Sequence, residues 1–392
     1  MKSDFDPLAP ETFDSPYEEY RRLRESCPVA HSDAWGGFWA LTKHDDVVAA
    51  ASDYRTFITS VQNVVPKVAF TGRRPPLHLD PPEHTPYRRA LAPLLSERRV
   101  AELEPVIREI CRDLLRPMVA KGGGDIVSEF SAPMPIATFA NWMNLQAEAI
   151  ADLTRVGRDY NMAVQSNDLD ETKRSSLLLY DMARALVDDR KARPLSPSED
   201  ATSALLATRV DGEPLPEEMI VGTIRQVLVV GIIAPSVTIG SMVVHLSRDH
   251  ALQCQLRHDR SLIPAAIEEL LRLYTPYRGF ARTAVCDVEI RGTTIPKGEP
   301  IAVVYASANR DADVFEDPDT FRLDRENSKD SVAFGRGPHA CVGAALARLE
   351  LKVALEELLG AAPSFSLVSE PVQTRFPEIG ALSVPIGFGA AA

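Results

Sequence analysis

Apolar and polar positions alternate along most of the chain with the period of a helix. Residues 96–120 carry apolar side chains at three- and four-residue spacing, which predicts one helix ending at the flexible run Lys121-Gly122-Gly123-Gly124. Residues 16–24 and 45–52 read as short helices, and residues 125–190 as several longer ones with irregular connections. Residues 217–249 form one long helix that is apolar almost all round, through Ile224, Val227, Leu228, Val229, Ile232 and Ile233, and is therefore buried. Residues 264–273 and the stretch beginning at Ala344 complete the helical set. Strand-like alternation is confined to short pieces: residues 37–41, 280–282, 288–292 and 294–298, and a closing region at 366–388. Residues 61–76 show no period and hold Pro66, Gly72, Pro75 and Pro76, the mark of a functional or mobile loop. The pattern predicts an α+β chain in which helix dominates.

Composition narrows the class. With 392 residues, 45% apolar and 25% charged, the chain can bury a large core, and no repeat or low-complexity tract divides it, so a single domain over 1–392 is expected. A net charge of −12 repels nucleic-acid phosphates. The five cysteines, Cys27, Cys111, Cys254, Cys286 and Cys341, show neither a disulfide framework nor zinc spacing, which favours a reducing compartment. The first residues lack the apolar core of a signal peptide, and the longest apolar run, 227–235, is too short to span a bilayer. A soluble, cytoplasmic protein without a membrane partner is expected.

The chemistry concentrates in Phe334-Gly335-Arg336-Gly337-Pro338-His339-Ala340-Cys341-Val342-Gly343. Small, φ-permissive residues precede Cys341 and a helix follows it, so the thiol sits at a helix N-terminus, where backbone N–H groups favour a thiolate able to bind a metal. Gly335, Gly337 and Gly343 would let a bulky ligand approach the backbone. A lone cysteine beside glycines otherwise reads as a small buried hydrophobe. Upstream, His84 and Arg88 lie four apart, on one face of a helix starting near Pro82; taken alone they read as an exposed pair. Glu269 and Arg272, three apart, taken alone read as a surface ion pair.

The decapeptide resembles the haem-binding signature of the cytochromes P450, Phe-Gly-x-Gly-x-x-x-Cys-x-Gly, at every fixed position. The resemblance extends through Asp80-Pro81-Pro82-Glu83-His84, the long central helix, Glu269-x-x-Arg272 and the segment 315–325, in the family's order. It implies the P450 fold, mainly α with small β-sheets, and haem b with Cys341 as the axial iron ligand, whose electron donation favours O–O cleavage. It further implies that His84, Arg88, Arg282 and His339 meet the haem propionates, that Phe334 and Gly343 shape the loop, and that Glu269, Arg272 and Arg325 lock together to hold it.

One position departs from the family. Where relatives carry an acid followed by threonines in the central helix, aligning Gly231 puts Ile233 at the acid and Ala234 at the alcohol, followed by Pro235. Neither side chain carries a proton. Pro235 lacks an N–H and its ring crowds the Gly231 carbonyl, so a kink there is expected to open the oxygen groove by backbone strain, with ordered water or substrate supplying protons.

The function implied is oxidation of a small apolar organic compound, aromatic or terpenoid, by hydroxylation or O-demethylation, using O2 and electrons from a separate ferredoxin. Arg89, Arg98, Arg99, Arg336 and Arg348 are candidates for docking that donor. Val64, Val65, Val230, Phe280, Ile379 and Leu382 are candidates for the pocket wall, with Ile233 and Ala234. Two other readings stand beside it: a peroxide-driven peroxygenase, and a haem-binding sensor without catalysis.

Overall fold

The helix Glu217–Arg248 supplies much of the main apolar core, through residues from Ile220 to Leu246, and packs against the helices Leu169–Ala192, Pro133–Trp142 and Ala344–Ala361. The structure, a computed structural model, describes residues 3–9, 12, 15–66, 71–166, 168–374 and 377–389. By length and composition alone this central helix is apolar enough to cross a membrane, although the 227–235 run taken alone suggested otherwise. Burial decides its role: 78% of its most apolar window lies inside the protein, as a core helix requires. Pro235 sits within it without ending it, so the expected bend leaves helical assignment unbroken from Glu217 to Arg248.

Helix dominates, and the strands form small sheets. The largest has five strands in the order Val29–Ser32, Phe38–Leu41, Pro300–Val303, Phe280–Ala284, Phe57–Ile58. It pairs Ile301 with Arg282, fixing that arginine's place on the sheet. Val288–Ile290 and Thr293–Ile295 form a separate hairpin rather than joining the sheet beside them in sequence.

Two expectations are corrected. The helix predicted over 96–120 is two helices, Glu97–Ala101 and Glu104–Ala120; Pro105, which has no N–H to bond the Ala101 carbonyl, sits in the first turn of the second, where that donor is not needed. The glycine run is no flexible break: Gly123–Asp125 is a strand paired with Pro385–Gly389. Gly123 lies against the Ile386 carbonyl at φ +155°, where a Cβ would collide, so the pairing itself demands glycine.

Candidate active site

The cysteine loop is tied back on itself before its helix begins. Gly335 N–H donates to Val332 O at 2.8 Å and Cys341 N–H to Phe334 O at 2.8 Å; Gly343 then caps the helix Ala344–Ala361. Gly335 and Gly337 have φ +69° and +68°, in the left-handed region that favours glycine. Their close neighbours are protein, which corrects the expectation of ligand approach there: a Cβ on Gly335 would lie 3.3 Å from Tyr305 Oη, and on Gly337 2.5 Å from Ala51 O. Gly343 alone is open, with only Cys341 Sγ within range at 3.9 Å.

Cys341 is exposed at the surface of this loop, yet enough protein surrounds its sulfur that burial pushes the thiol pKa up. The Gly343 N–H, Arg88 and Arg348 pull the other way without prevailing. A metal cation at the sulfur would favour the deprotonated form against that burial. Phe334 lies beneath the Arg348 guanidinium, 4.4 Å from ring centroid to Cζ, and Arg348 is itself paired with Glu268 at 2.6 Å.

The upstream motif meets this loop. His84 begins the helix Thr85–Leu91, its ring centroid 4.8 Å from that of His339, and it is hydrogen-bonded to the backbone of Pro338. Burial, His339 and Arg88 lower its pKa to about 4, and a carboxylate meeting Nε2 would act against that shift by favouring the protonated, doubly donating ring. His339 Nε2 lies 3.2 Å from Thr59 Oγ1 and 3.7 Å from Asp80. Burial would raise the Asp80 carboxyl, but His339 and the N–H groups of Thr59 and Ser60 hold it well below the usual range. Arg282 is buried on its strand, spending Nη1 on the Ala281 carbonyl at 2.9 Å. Arg88, half-buried, has its pKa lowered by burial and raised by Cys341.

His84 Nε2 and Arg282 Nη2 are buried with no hydrogen-bond partner among the described residues. A buried, unpartnered guanidinium nitrogen is costly unless an anion meets it. Haem fits this set: a thiol for iron, and histidine and arginine donors for two propionate carboxylates.

Behind the loop, Glu269 accepts from Arg272 at 2.7 and 2.8 Å and from Arg325 at 2.9 and 3.0 Å. All three are buried, so this is no surface pair. Arg272 also donates to the carbonyls of Asn309 and Pro318, and Arg325 to that of Glu316, so one carboxylate and two guanidiniums pin the chain that leads into the cysteine loop.

On the central helix, Gly231 faces Phe139, whose ring occupies the space a Cβ would need, and Ile233 belongs to the main core. Val230 is 49% exposed in the middle of this otherwise buried helix, and Ala234, one turn on, is half-buried. The Ala234 carbonyl accepts from Thr238 Oγ1 at 2.7 Å. Pro235 is buried.

The pocket-wall residues divide. Val230 is open, and Val64 and Leu382 are half-buried. Val65 and Ile379 instead pack with Phe38, Ala40 and Val304 in a core beneath the five-stranded sheet, and Phe280 packs against Tyr277 and Tyr305. Their apolar character serves the sheet, which sequence position alone did not reveal. The neighbouring Gly380 lies against the central helix, where a Cβ would meet Val237 and Ser241. Of the docking arginines, Arg99 pairs with Glu102, Arg348 with Glu268, and Arg336 donates to the Lys329 carbonyl. Arg89 and Arg98 are exposed and carry no ion pair among the described residues. Sequence reasoning missed Thr59, Asp80 as the support of His339, and Phe139; only Asp80, inside the Asp-Pro-Pro-Glu-His stretch, left a signal.

Known proteins share this architecture. The cytochrome P450 family model matches residues 163–374. Cytochrome P450 107B1 of Saccharopolyspora erythraea is 32% identical over 376 residues, 92% of this chain and 91% of that protein. Nocardicin C N-oxygenase of Nocardia uniformis is 33% identical, covering 89% of this chain and 88% of that one. The structure of cytochrome P450 CYP109Q5 from Chondromyces apiculatus superposes with a TM-score of 0.89 at 30% identity, covering 100% of both chains. With the cysteine loop, the buried Glu269 triad and these relatives in agreement, the chain belongs to the cytochrome P450 family, mainly helical monooxygenases that bind haem b.

Proposed function

We propose that the chain is a single-domain, cytoplasmic P450 that oxidises a compact, largely apolar organic substrate with O2 and electrons from a separate ferredoxin. In this reading Cys341 ligates the iron, and His84, Arg88, Arg282 and His339 receive the propionates. Phe334 and Gly343 shape the loop, and Glu269, Arg272 and Arg325 brace it. The observation that carries the reading is the pair of unpartnered buried donors, His84 Nε2 and Arg282 Nη2, beside the Cys341 loop. Haem, when bound, supplies oxygen activation. The chain supplies the rest: Val230 and Ala234 offer an apolar wall that orients substrate and excludes water, and Val64 and Leu382 are its half-buried candidates. Arg89 and Arg98, exposed and free of ion pairs among the described residues, are the first choice for docking an acidic ferredoxin.

No proton donor stands at Ile233 or Ala234, and the Thr238 hydroxyl is spent on the Ala234 carbonyl. We read Gly231, Ile233, Ala234 and Pro235 as a stretch that leaves protons to water or substrate. The same observation favours peroxide as a second oxidant, because peroxide brings its own protons. Product formed with O2 and a ferredoxin system is compared with product formed from hydrogen peroxide alone. Ala234→Thr, on the open face, is expected to lower the fraction of electrons lost as peroxide; turnover by peroxide only, or an unchanged fraction, refutes the O2 reading. Ile233→Asp suits this test less well, because it would bury a carboxylate in the main core.

A further inference from the structure

Four distant pieces of chain bring two arginines together, and among the described residues neither forms an ion pair with an acid. Arg225, on the central helix, is 1% exposed, and Arg74, in the loop ahead of the Asp80 motif, is 7% exposed. Arg225 Nη2 donates to Ser176 Oγ at 2.8 Å, and its Cζ lies 4.9 Å from the centroid of the Tyr160 ring. Arg74 Nη2 lies 3.1 Å from His78 Nε2. The Nε of each guanidinium is buried and has no acceptor among the described residues.

Charge in this cluster is unbalanced. Burial, then the charge of Arg225, lowers the Arg74 pKa, and the largest opposing influences are the phenols of Tyr160 and Tyr180, not a carboxylate. Burial would raise the Tyr160 phenol, but Arg225 and Arg74 together bring it below its ordinary value. Glu378, a buried acid reached by Gln165 of the helix that carries Tyr160, is bonded to that glutamine at 2.5 Å and pairs with neither arginine. Two buried cations with bare Nε groups are destabilising unless an anion from outside the chain meets them. The Tyr160 phenol is hydrogen-bonded to both arginines and its ring face lies by the Arg225 plane, but neither contact meets the two Nε–H groups.

The position bears on substrate. Arg225 precedes the exposed Val230 by five residues, about 7.5 Å along the helix axis. Gln226, four residues or about one helical turn before Val230, also keeps a buried Oε1 without a partner among the described residues. We propose that Arg74 and Arg225 form a carboxylate-binding subsite, so that the substrate is an organic acid whose carboxylate meets the two guanidiniums while its apolar body lies along Val230. Arginine's planar fork matches a carboxylate. The inference rests on the monooxygenase reading above and narrows its substrate class.

The test uses the haem-loaded protein with 3-phenylpropionate and 4-ethylbenzoate, each against its primary amide, and acetate as a bare anion. Binding is read by calorimetry and by the haem spin-state shift. Each aryl acid is expected to bind at least tenfold more tightly than its amide. Arg74→Gln and Arg225→Gln should each remove that advantage and leave amide binding unchanged, while Arg225→Lys restores part of it. Arg74→Met separates binding from folding: without ligand it should melt no lower than the parent, because it removes an unpaired buried charge, yet lose the preference for acid. Acids binding no better than amides, acetate binding as tightly as the aryl acids, or variants that melt early with acid binding intact would each overturn the proposal. A protein that shows the thiolate-type carbon monoxide band and oxidises neutral compounds but ignores acids sinks this inference alone; loss of that band sinks the reading beneath it.

Discussion

Replacing Glu269 with glutamine tests how the cysteine loop is held. Glu269 accepts two hydrogen bonds from Arg272, two from Arg325 and one from the Arg322 backbone, with both partner side chains buried. Glutamine keeps the shape but removes the charge and turns an N–H group towards a guanidinium. Removing one member of a buried pair costs about 3–5 kcal/mol, and a carboxylate shared by two arginines belongs at the upper end. For a chain of this length the unfolding entropy is ~0.8 kcal/mol per kelvin, so ~5 kcal/mol lowers the melting midpoint by about 6 °C. The assay is thermal unfolding of the haem-loaded protein, followed by far-UV circular dichroism and by loss of the Soret band. The control is Glu268→Gln, which breaks the exposed pair with Arg348 and should cost about 1 kcal/mol or less, a shift of about 1 °C. If Glu269→Gln melts within a degree or two of the parent and keeps its haem, the triad is not what holds the loop, and its burial has been misjudged.

Two further outcomes follow from single neighbours. Gly231→Ala places a methyl group inside the Phe139 ring position, so it should destabilise by about 1–3 kcal/mol, and Phe139→Leu should recover most of that loss in the double variant; additive losses in a denaturant-unfolding cycle would refute the contact. His78 is pulled down to about 3 from 6.5 by burial, then by Arg74, Arg225 and Arg73. Between those values the unfolded chain binds the extra proton, so this contribution is complete above 6.5 and is lost as pH falls towards about 3. His78→Asn should flatten the acid side of the stability curve by up to about 1.4 kcal/mol per pH unit, and an unchanged slope would contradict it.

Much of this site was legible because its parts are contiguous in sequence. The cysteine loop, Asp80 to Arg88 and Glu269-x-x-Arg272 each carry their spacing within a few residues, and the structure sets His84 beside His339 and Arg325 against Glu269. What escaped depends on contacts between distant segments. Gly123 reads as a hinge until Ile386 lies against it, and Val65 and Ile379 read as pocket wall until the five-stranded sheet claims them. The thiol illustrates competing terms: the helix terminus favours a thiolate, but burial outweighs it, and only the surrounding chain reveals how much burial there is. Arg74 and Arg225 are unremarkable in sequence, each a single basic residue among neighbours of ordinary pattern. Their meaning comes from what folding leaves out, an acid between them.

The central claim is that Cys341 sulfur ligates a haem iron. Reducing the haem-loaded protein under carbon monoxide and recording the difference spectrum tests it directly. The account predicts the red-shifted thiolate-type Soret band in the parent protein and its loss in Cys341→Ser. A parent spectrum lacking that band, or a Cys341→Ser protein that keeps it, would contradict the account.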